Sequence, residues 1–249
     1  MRGLVNMQNQ PGRGIKAISL LSGGLDSTTL LALVLSKGYD VTALTFDYGQ
    51  RHSRELKSAK NVASHYTVQH RIFKIDLKTI GGSALTDSLP IPDVPLKDIG
   101  TEIPVTYVPA RNTILLSVAL AYAEVVNASK IFIGANHLDY SGYPDCRPEY
   151  FDAMNNLFRF ATKRTVEGGS IEVEAPLLSY TKGEIVKLAK ELNVPLELTW
   201  SCYRGGDVAC GRCDSCKLRL KGFMEAGEID PVRYETFPDF YATYMASKI

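Results

Sequence analysis

The stretch "ISLLSGGLDSTTLLAL", residues 18–33, decides the fold prediction for this chain. A run of apolar residues ends abruptly at Ser22-Gly23-Gly24, and after Thr28 the apolar residues resume with a different spacing. This change predicts a buried strand over 15–21 and a helix over 27–37, separated by a tight turn. The turn then lies at the carboxyl end of a strand and the amino end of a helix, which is where open α/β sheets bind ligands.

Strand and helix patterns alternate along the rest of the chain. Further strands are predicted at 41–46, 71–75 and 130–135, with an extended segment at 171–178. Helices are predicted at 53–65, 112–126 and 149–162. Thr181 and Glu184 have the spacing of a capping box, which predicts another helix after Thr181. Strands separated by helices predict an α/β fold with a parallel sheet and right-handed crossovers.

The segment 77–107 interrupts this alternation. It carries Pro90, Pro92, Pro95 and Pro104. A segment of this length without regular structure is too long for a simple connector, so we expect a lid or a substrate loop.

Length, composition and charge limit the possible classes of protein. The 249 residues suffice for one large domain, or for one domain with an attachment. The formal net charge of +1 gives no overall basic field, so we expect no direct contact with nucleic acid. No apolar stretch is long enough to span a bilayer and no signal-peptide pattern opens the chain, so we expect a cytoplasmic protein without membrane contact. Residues 1–14 are expected to form a flexible tail.

The residues of the first turn are suited to binding an anion. Two glycines let the backbone approach a ligand closely, and the first amides of the helix point toward it with the positive end of the helix dipole. Ser22, Ser27 and Thr28 add hydroxyl donors. The alternative is a plain turn in which Asp26 or Ser27 caps the helix. The stretch contains neither the lysine of a Walker loop nor the spacing of a Rossmann glycine motif.

A second signal lies in "SCYRGGDVACGRCDSC", residues 201–216, which holds four of the five cysteines. Cys210, Cys213 and Cys216 are three residues apart, and Cys202 stands eight residues before Cys210. Two successive C-x-x-C steps and a returning fourth thiol predict a tetrahedral site for one structural zinc ion. An iron–sulfur cluster is the alternative, whereas a disulfide cluster does not fit a chain without a secretion signal.

The glycine-rich stretch resembles the S-G-G-x-D-S loop of the adenylating ATP pyrophosphatases. The resemblance implies a Rossmann-like parallel sheet of the adenine nucleotide alpha hydrolase type, which holds ATP and captures pyrophosphate as the leaving group. The implied ATP contacts in this loop are Leu21, Ser22, Gly23, Gly24, Leu25, Asp26, Ser27 and Thr28. Asp47, which follows the second predicted strand, is a further expected ATP contact, with a surface turn as the alternative.

Further segments resemble the 7-cyano-7-deazaguanine synthase family over nearly the whole chain from about residue 17. They are "FDYGQRH" (46–52), "GGSALTD" (81–87), "VPARNTILLSVA" (108–119) and "DYSGYPDCRPEY" (139–150), together with the cysteine segment. The resemblance implies an ATP-binding core over 15–198 and a C-terminal zinc-binding knuckle over 199–249. It also implies a homodimer.

The implied activity is that of a ligase that forms carbon–nitrogen bonds. The resemblance implies that 7-carboxy-7-deazaguanine reacts with ATP, magnesium and ammonia through an adenylated carboxylate and an adenylated amide. The product is the nitrile 7-cyano-7-deazaguanine, the precursor of queuosine or archaeosine in tRNA modification.

Five side chains are assigned catalytic roles under this resemblance. Asp26 is the expected magnesium contact, and Ser27 is expected to contact phosphate. The Arg111 guanidinium suits a phosphate or a carboxylate, with a structural ion pair as the alternative. Asp145 is the choice for the donor edge of the deazaguanine, and Arg147 for the substrate carboxylate, with loop structure as the alternative for both.

Tyr143 is the expected stacking partner of the deazaguanine ring, with loop structure as the alternative. Cys146, the fifth thiol, is expected to be a bystander because the reaction needs no thiol nucleophile. A basic helix over 217–227 leaves two other functions open, a tRNA thiolation enzyme and a non-enzymatic zinc-ribbon adaptor for nucleic acid.

Overall fold

The computed structural model describes residues 11–87, 89–136 and 143–248. Its sheet has five strands, which are β1 (Lys16–Leu20), β2 (Asp40–Asp47), β3 (Gln69–Lys74), β4 (Lys130–Phe132) and β5 (Glu172–Glu174). The spatial order is β3-β2-β1-β4-β5, and every neighbouring pair is parallel. The predicted α/β fold with a parallel sheet is confirmed.

Eight α-helices accompany the strands in the described part of the chain. They are α1 (Leu25–Ser36), α2 (Arg54–His65), α3 (Arg111–Val126), α4 (Pro148–Phe158), α5 (Lys163–Val166), α6 (Lys182–Glu191), α7 (Asp214–Ala226) and α8 (Asp239–Ala246). Short 3-10 turns occupy Leu96–Asp98, Pro144–Cys146 and Leu196–Leu198. Among the described helices, none combines the length and the apolar composition that a membrane crossing requires.

Two helix ends follow directly from local sequence chemistry. The Thr181 hydroxyl accepts the Glu184 N–H at 3.2 Å, and the Glu184 carboxylate accepts the Thr181 N–H at 2.7 Å, which confirms the capping box. Helix α4 ends at Phe158, four residues before the predicted end. It ends early because Thr162 and Thr165 form a second capping box that starts α5.

The strand order creates a ligand crevice beside β1. The chain runs from β1 outward to β2 and β3, and then returns to place β4 on the other side of β1. Connections therefore leave the carboxyl ends of β1 and β4 in opposite directions, and such a switch point is the usual ligand site of an open α/β sheet. Gly134 lies here, where a Cβ atom would come within 3.1 Å of the Ser27 backbone. Strand β4 ends at Phe132, three residues before the predicted end.

Both faces of the sheet are covered. Helices α1, α2, α6, α7 and α8 share one core, in which Leu30, Leu31, Leu220 and Phe223 are fully buried. Helices α3 and α4 form the core of the opposite face. Burying each such large side chain contributes about 1.5–3 kcal/mol to folding. Helices α7 and α8 pack into the same core as α1. The division into an ATP-binding core and a C-terminal region at residue 198 stays a prediction.

Hydrogen bonds hold the end of the tail and the middle of the long loop where the structure describes them. Residues 1–10 of the predicted tail lie outside the described residues, but the Gly12 N–H donates to the Lys37 carbonyl at 2.9 Å. In the 77–107 segment, Arg51 donates to the Leu89 carbonyl at 2.8 Å. Lys217 of α7 binds Asp93 and, at 2.6 Å, the Val94 carbonyl. These contacts attach the segment to the turn after β2 and to α7. Its function as a lid stays a prediction.

Candidate active site

A cleft of about 300 Å³ opens at the carboxyl ends of β1, β2 and β4. It coincides with the switch point of the sheet. The predicted site residues that line it are Leu21, Ser22, Gly24, Leu25, Asp26, Ser27, Arg111 and Tyr143. The structure therefore brings the glycine-rich turn and the start of α3 to one place, although about 85 residues separate them in the chain.

The glycine-rich turn is clamped between two other parts of the chain. Gly23 has a φ of +83°, and a Cβ atom there would lie 2.5 Å from the Ala59 nitrogen of α2. Only glycine fits this position, because the neighbour is backbone and cannot move away. On the other side, the Trp200 N–H donates to the Gly23 carbonyl at 2.8 Å. Both contacts hold the turn in one conformation.

The start of α1 has the features of an anion site. Its N-cap is Gly24 and no side chain caps it, so the predicted alternative of a cap by Asp26 or Ser27 is wrong. The N–H groups of the first turn are therefore left for a ligand. The hydroxyls of Ser22 and Ser27 lie 2.9 Å apart at the same point. Thr28 does not line the cleft, because its hydroxyl is buried below the turn.

A lysine reaches this turn from a distant part of the chain. Lys182, the first residue of α6, donates to the two carboxylate oxygens of Asp26 at 2.9 and 2.7 Å. The Lys182 side chain is 11% exposed and that of Asp26 25% exposed. Gly222 of α7 leaves room for the lysine, since a Cβ atom there would lie 2.4 Å from Lys182 Cγ. The turn thus has a cation that its own sequence lacks.

Arg111 forms the facing wall together with two tyrosines. Burial alone would lower the pKa of Arg111, but Tyr48, Tyr143 and Asp145 outweigh it, so the pKa lies above its usual value and the guanidinium stays charged. Burial raises the pKa of Tyr48 to about 12, so this hydroxyl keeps its proton. Tyr143 also lines the cleft, and its ring centroid lies 5.8 Å from that of Tyr107.

Glu55 is a cleft residue that the sequence analysis missed. It lies in the first turn of α2 and lines the cleft. Burial raises the pKa of its carboxyl to about 7, while Arg111 acts in the opposite direction. Its position three residues beyond the "FDYGQRH" segment, in the first turn of a predicted helix, was the only available signal.

Asp145 lies at the amino end of α3, and its role in base recognition stays a prediction. Its carboxylate accepts the Asn112 N–H at 3.0 Å and so caps the amino end of α3, and it does not line the described cleft. Arg147 lines a separate pocket, and its Nε donates to the Pro144 carbonyl at 3.2 Å. Residues 137–142 of this motif lie outside the described residues.

Cys146 does line the cleft, as a protonated thiol. Burial raises the pKa of Cys146 to about 11, and Asn112 donates to its sulfur at 3.4 Å. A thiol in this state is a weak nucleophile, in keeping with the predicted bystander role.

Asp47 ends β2 outside the cleft, whereas Tyr48 and Gln50 of the same segment line it. The Gln50 amide fixes this turn by accepting the Tyr48 N–H at 2.8 Å.

The other four cysteines form a cluster beside the cleft. All are buried, and the four sulfur atoms lie within 4.8 Å of one another. Tetrahedral zinc with Zn–S bonds of about 2.3 Å places its sulfur ligands about 3.8 Å apart. The N–H groups of Cys210 and Cys213 donate to neighbouring sulfurs at 3.3 and 3.4 Å, as suits thiolates. The cluster therefore fits a metal such as zinc, held by Cys202, Cys210, Cys213 and Cys216.

Arg219 connects the cysteine segment to the cleft that it lines. Its guanidinium binds both oxygens of Asp230, at 2.6 and 2.9 Å, in a fully buried ion pair. It also donates to the hydroxyls of Thr199 and Ser201, at 2.7 and 3.3 Å. These two residues flank Trp200, which holds the glycine-rich turn. The C-terminal region is thereby part of the site.

Comparisons with known proteins agree with this geometry. The family model described as queuosine biosynthesis protein QueC matches residues 16–227. The 7-cyano-7-deazaguanine synthase of Picrophilus torridus is 58% identical over 233 residues, which cover 94% of this chain and 97% of that protein. The protein of the same name from Trichodesmium erythraeum is 55% identical over 221 residues, covering 88% of this chain and 100% of that protein.

Among solved structures, NMN synthetase from Francisella tularensis aligns with a TM-score of 0.46 and 17% identity, over 96% of this chain and 84% of that chain. The family model spans most of the described chain, and the two sequence relatives match over nearly their whole lengths. On these two grounds, the chain belongs to the queuosine biosynthesis protein QueC family.

Proposed function

We propose that this chain converts 7-carboxy-7-deazaguanine and ammonia into 7-cyano-7-deazaguanine, with two molecules of ATP each cleaved to AMP and pyrophosphate. The observation that carries the proposal is the uncapped amino end of α1 with Lys182 fixed beside it. Relatives at 55–58% identity bear the name of this activity. Neither tRNA thiolation nor a nucleic-acid adaptor is favoured by the family match.

The glycine-rich turn is suited to receive the leaving pyrophosphate. Backbone amides of the first turn, the Ser22 and Ser27 hydroxyls and the Lys182 ammonium surround one point of the cleft. Because these donors are already fixed in place, they stabilise the charge that develops on pyrophosphate without reorganising. Lys182 supplies the positive charge that the lysine of a Walker loop supplies, but it comes from α6 and not from the turn itself.

Arg111 is suited to hold the reacting carboxylate on the facing wall. The substrate carboxylate attacks the α-phosphorus of ATP, and pyrophosphate leaves with the electrons of the broken P–O bond. Ammonia then attacks the carbonyl carbon, and AMP leaves to give the amide. In the second cycle the amide oxygen attacks another ATP, and loss of AMP and two protons leaves the nitrile.

Two metals enter the proposal with different roles. Magnesium bound with ATP would neutralise phosphate charge. Asp26 stays the predicted protein contact for magnesium, although both of its oxygens accept from Lys182. Zinc on the four thiolates would leave no open coordination position, so its role is structural. The homodimer, the cytoplasmic location and the onward use for queuosine or archaeosine also stay predictions.

Product analysis tests the proposed function directly. The protein is incubated with 7-carboxy-7-deazaguanine, ATP, Mg²⁺ and ammonium, and the products are separated by chromatography and identified by mass spectrometry. We expect the nitrile, AMP and pyrophosphate. Accumulation of ADP and orthophosphate would contradict the assignment of the turn, and an unchanged deazaguanine would contradict the substrate.

A further inference from the structure

Two carboxylates line the described part of the cleft, and their surroundings differ. Asp26 is held by Lys182 through two hydrogen bonds. Glu55 has no hydrogen-bond partner among the described residues, although it lies within the electrostatic reach of Arg111. A half-buried carboxylate in a ligand cleft without a bonded donor is suited to a cationic ligand.

We propose that Glu55 binds the ammonium ion that supplies the nitrogen of the reaction. The inference rests on the proposed function, in which ammonia attacks an acyl adenylate. It assigns the nitrogen donor a site and a residue, and it makes Glu55 a catalytic residue because the carboxylate touches a reactant.

The position of Glu55 relative to the glycine-rich turn supports this assignment. Its backbone carbonyl lies 2.8 Å from the point where a Cβ atom of Gly23 would stand, so the first turn of α2 touches the pyrophosphate turn. Arg111 of α3 faces Glu55 across the cleft and is suited to the substrate carboxylate. An ammonium ion on Glu55 would therefore lie in the same cleft as the glycine-rich turn and Arg111.

The groups around Glu55 are compatible with a bound cation. Arg111 of α3 is the positive charge that acts on Glu55. Tyr48, after β2, is a neutral hydroxyl, and Cys202 belongs to the cysteine cluster. When the Arg111 guanidinium is covered by the substrate carboxylate, the remaining negative charge of the site is on Glu55. Ammonium is then attracted only after the acidic substrate has bound.

The proton balance of the step is simple. Ammonium gives one proton to the Glu55 carboxylate, and the freed lone pair of ammonia forms the C–N bond. The C–O bond to AMP breaks, AMP takes its electrons, and the nitrogen loses a second proton to water. The Glu55 carboxyl then returns its proton to solvent. Burial raises the pKa of Glu55 to about 7, which suits a proton acceptor at neutral pH.

The test separates adenylation from nitrogen transfer. Exchange of labelled pyrophosphate into ATP, dependent on 7-carboxy-7-deazaguanine and measured without ammonium, reports adenylation alone. We expect Glu55→Gln to exchange at nearly the wild-type rate, while its KM for ammonium rises about 10- to 100-fold, the size of a lost charge-assisted contact. The KM values for ATP and for the deazaguanine stay unchanged. Glu55→Asp, which keeps the charge, should fall between.

A neutral nucleophile and a matched glutamate complete the design. Hydroxylamine is uncharged at pH 8, so Glu55→Gln should form the hydroxamate at a rate near that of the wild type. Glu149→Gln, in the first turn of α4 and outside the cleft, should behave as wild type in every assay. An unchanged ammonium KM in Glu55→Gln, or equal losses with ammonium and hydroxylamine, overturns the proposal.

Two further outcomes assign the failure to its source. If Glu55→Gln loses pyrophosphate exchange, the side chain serves adenylation. If it needs more Mg²⁺ at an unchanged ammonium KM, the side chain serves metal binding. Either result contradicts the ammonium site and leaves the proposed function intact. If the wild-type protein shows no exchange dependent on the deazaguanine, the proposed function itself fails, and the ammonium site fails with it.

Discussion

The ion pair between Arg219 and Asp230 allows a quantitative prediction, because both partners are buried. The side chains are 3% and 1% exposed, and two hydrogen bonds of 2.6 and 2.9 Å join them. Asp230→Asn leaves a charged guanidinium without its counter-ion in the interior. Breaking a buried pair in this way costs about 3–5 kcal/mol. For a chain of this size, we expect the melting temperature to fall by about 6–20 °C.

A second ion pair on the same helix provides the matched control. Lys221 and Glu225 of α7 lie 3.5 Å apart, and each side chain is 37% exposed. Lys221→Ala should change the free energy of unfolding by less than about 1 kcal/mol, since solvent screens an exposed pair. Urea denaturation of both variants and of the wild type, each loaded with zinc, measures the difference.

Loss of the Arg219–Asp230 ion pair should also weaken ATP binding at the active site. Arg219 donates to the hydroxyls of Thr199 and Ser201, and the residue between them, Trp200, holds the Gly23 carbonyl. We therefore expect Asp230→Asn to raise the KM for ATP at temperatures where the protein is folded. The reasoning is refuted if Asp230→Asn and Lys221→Ala lose equal stability, within about 1 kcal/mol.

Further predictions concern the turn, the metal and the pH dependence of stability. Asp26→Ala and Lys182→Met should each lower turnover about a hundredfold or more in steady-state assays, without loss of helical circular dichroism, because a preorganised charge at the leaving group is removed. Elemental analysis should find one zinc ion per chain in the wild type and in Cys146→Ser, but not in Cys202→Ser; iron with visible absorbance would indicate a cluster instead. The pKa of Glu55 is raised from 4.5 to about 7, so its ionisation destabilises the fold as pH rises through that range. Glu55→Gln should therefore gain stability over the wild type between pH 5 and pH 8, by at most about 3 kcal/mol in thermal unfolding. An equal difference at both pH values would contradict this.

Local patterns predicted the parts of the fold that local chemistry determines. The strand–turn–helix order around Gly23 and the capping box at Thr181 depend on neighbouring residues, and the structure confirms both. The clustering of Cys202 with the three closely spaced cysteines is likewise confirmed. These features need only the spacing of residues that lie close together in the chain.

The remaining site residues depend on packing between distant elements. Lys182 reaches Asp26 across 156 positions, and no pattern near either residue shows that α6 starts beside α1. Glu55 becomes a cleft residue only because α2 packs against Gly23. The contact of Asp145 also depends on an element distant in the chain. Its motif lies close to the cleft in space, but the Asn112 N–H takes its carboxylate as a helix cap.

The position of the cysteine cluster explains how a structural metal there would support the neighbouring cleft. Trp200 stands two residues before Cys202, and its ring N–H donates to the Cys202 carbonyl at 3.0 Å. Its backbone N–H holds Gly23, and Arg54 of α2 covers its ring at 4.7 Å. A metal that fixes Cys202 therefore fixes Trp200, and through it the turn that faces pyrophosphate. Zinc bound there would contribute on the order of 10 kcal/mol to folding, and it would thereby help to keep this wall of the cleft in place.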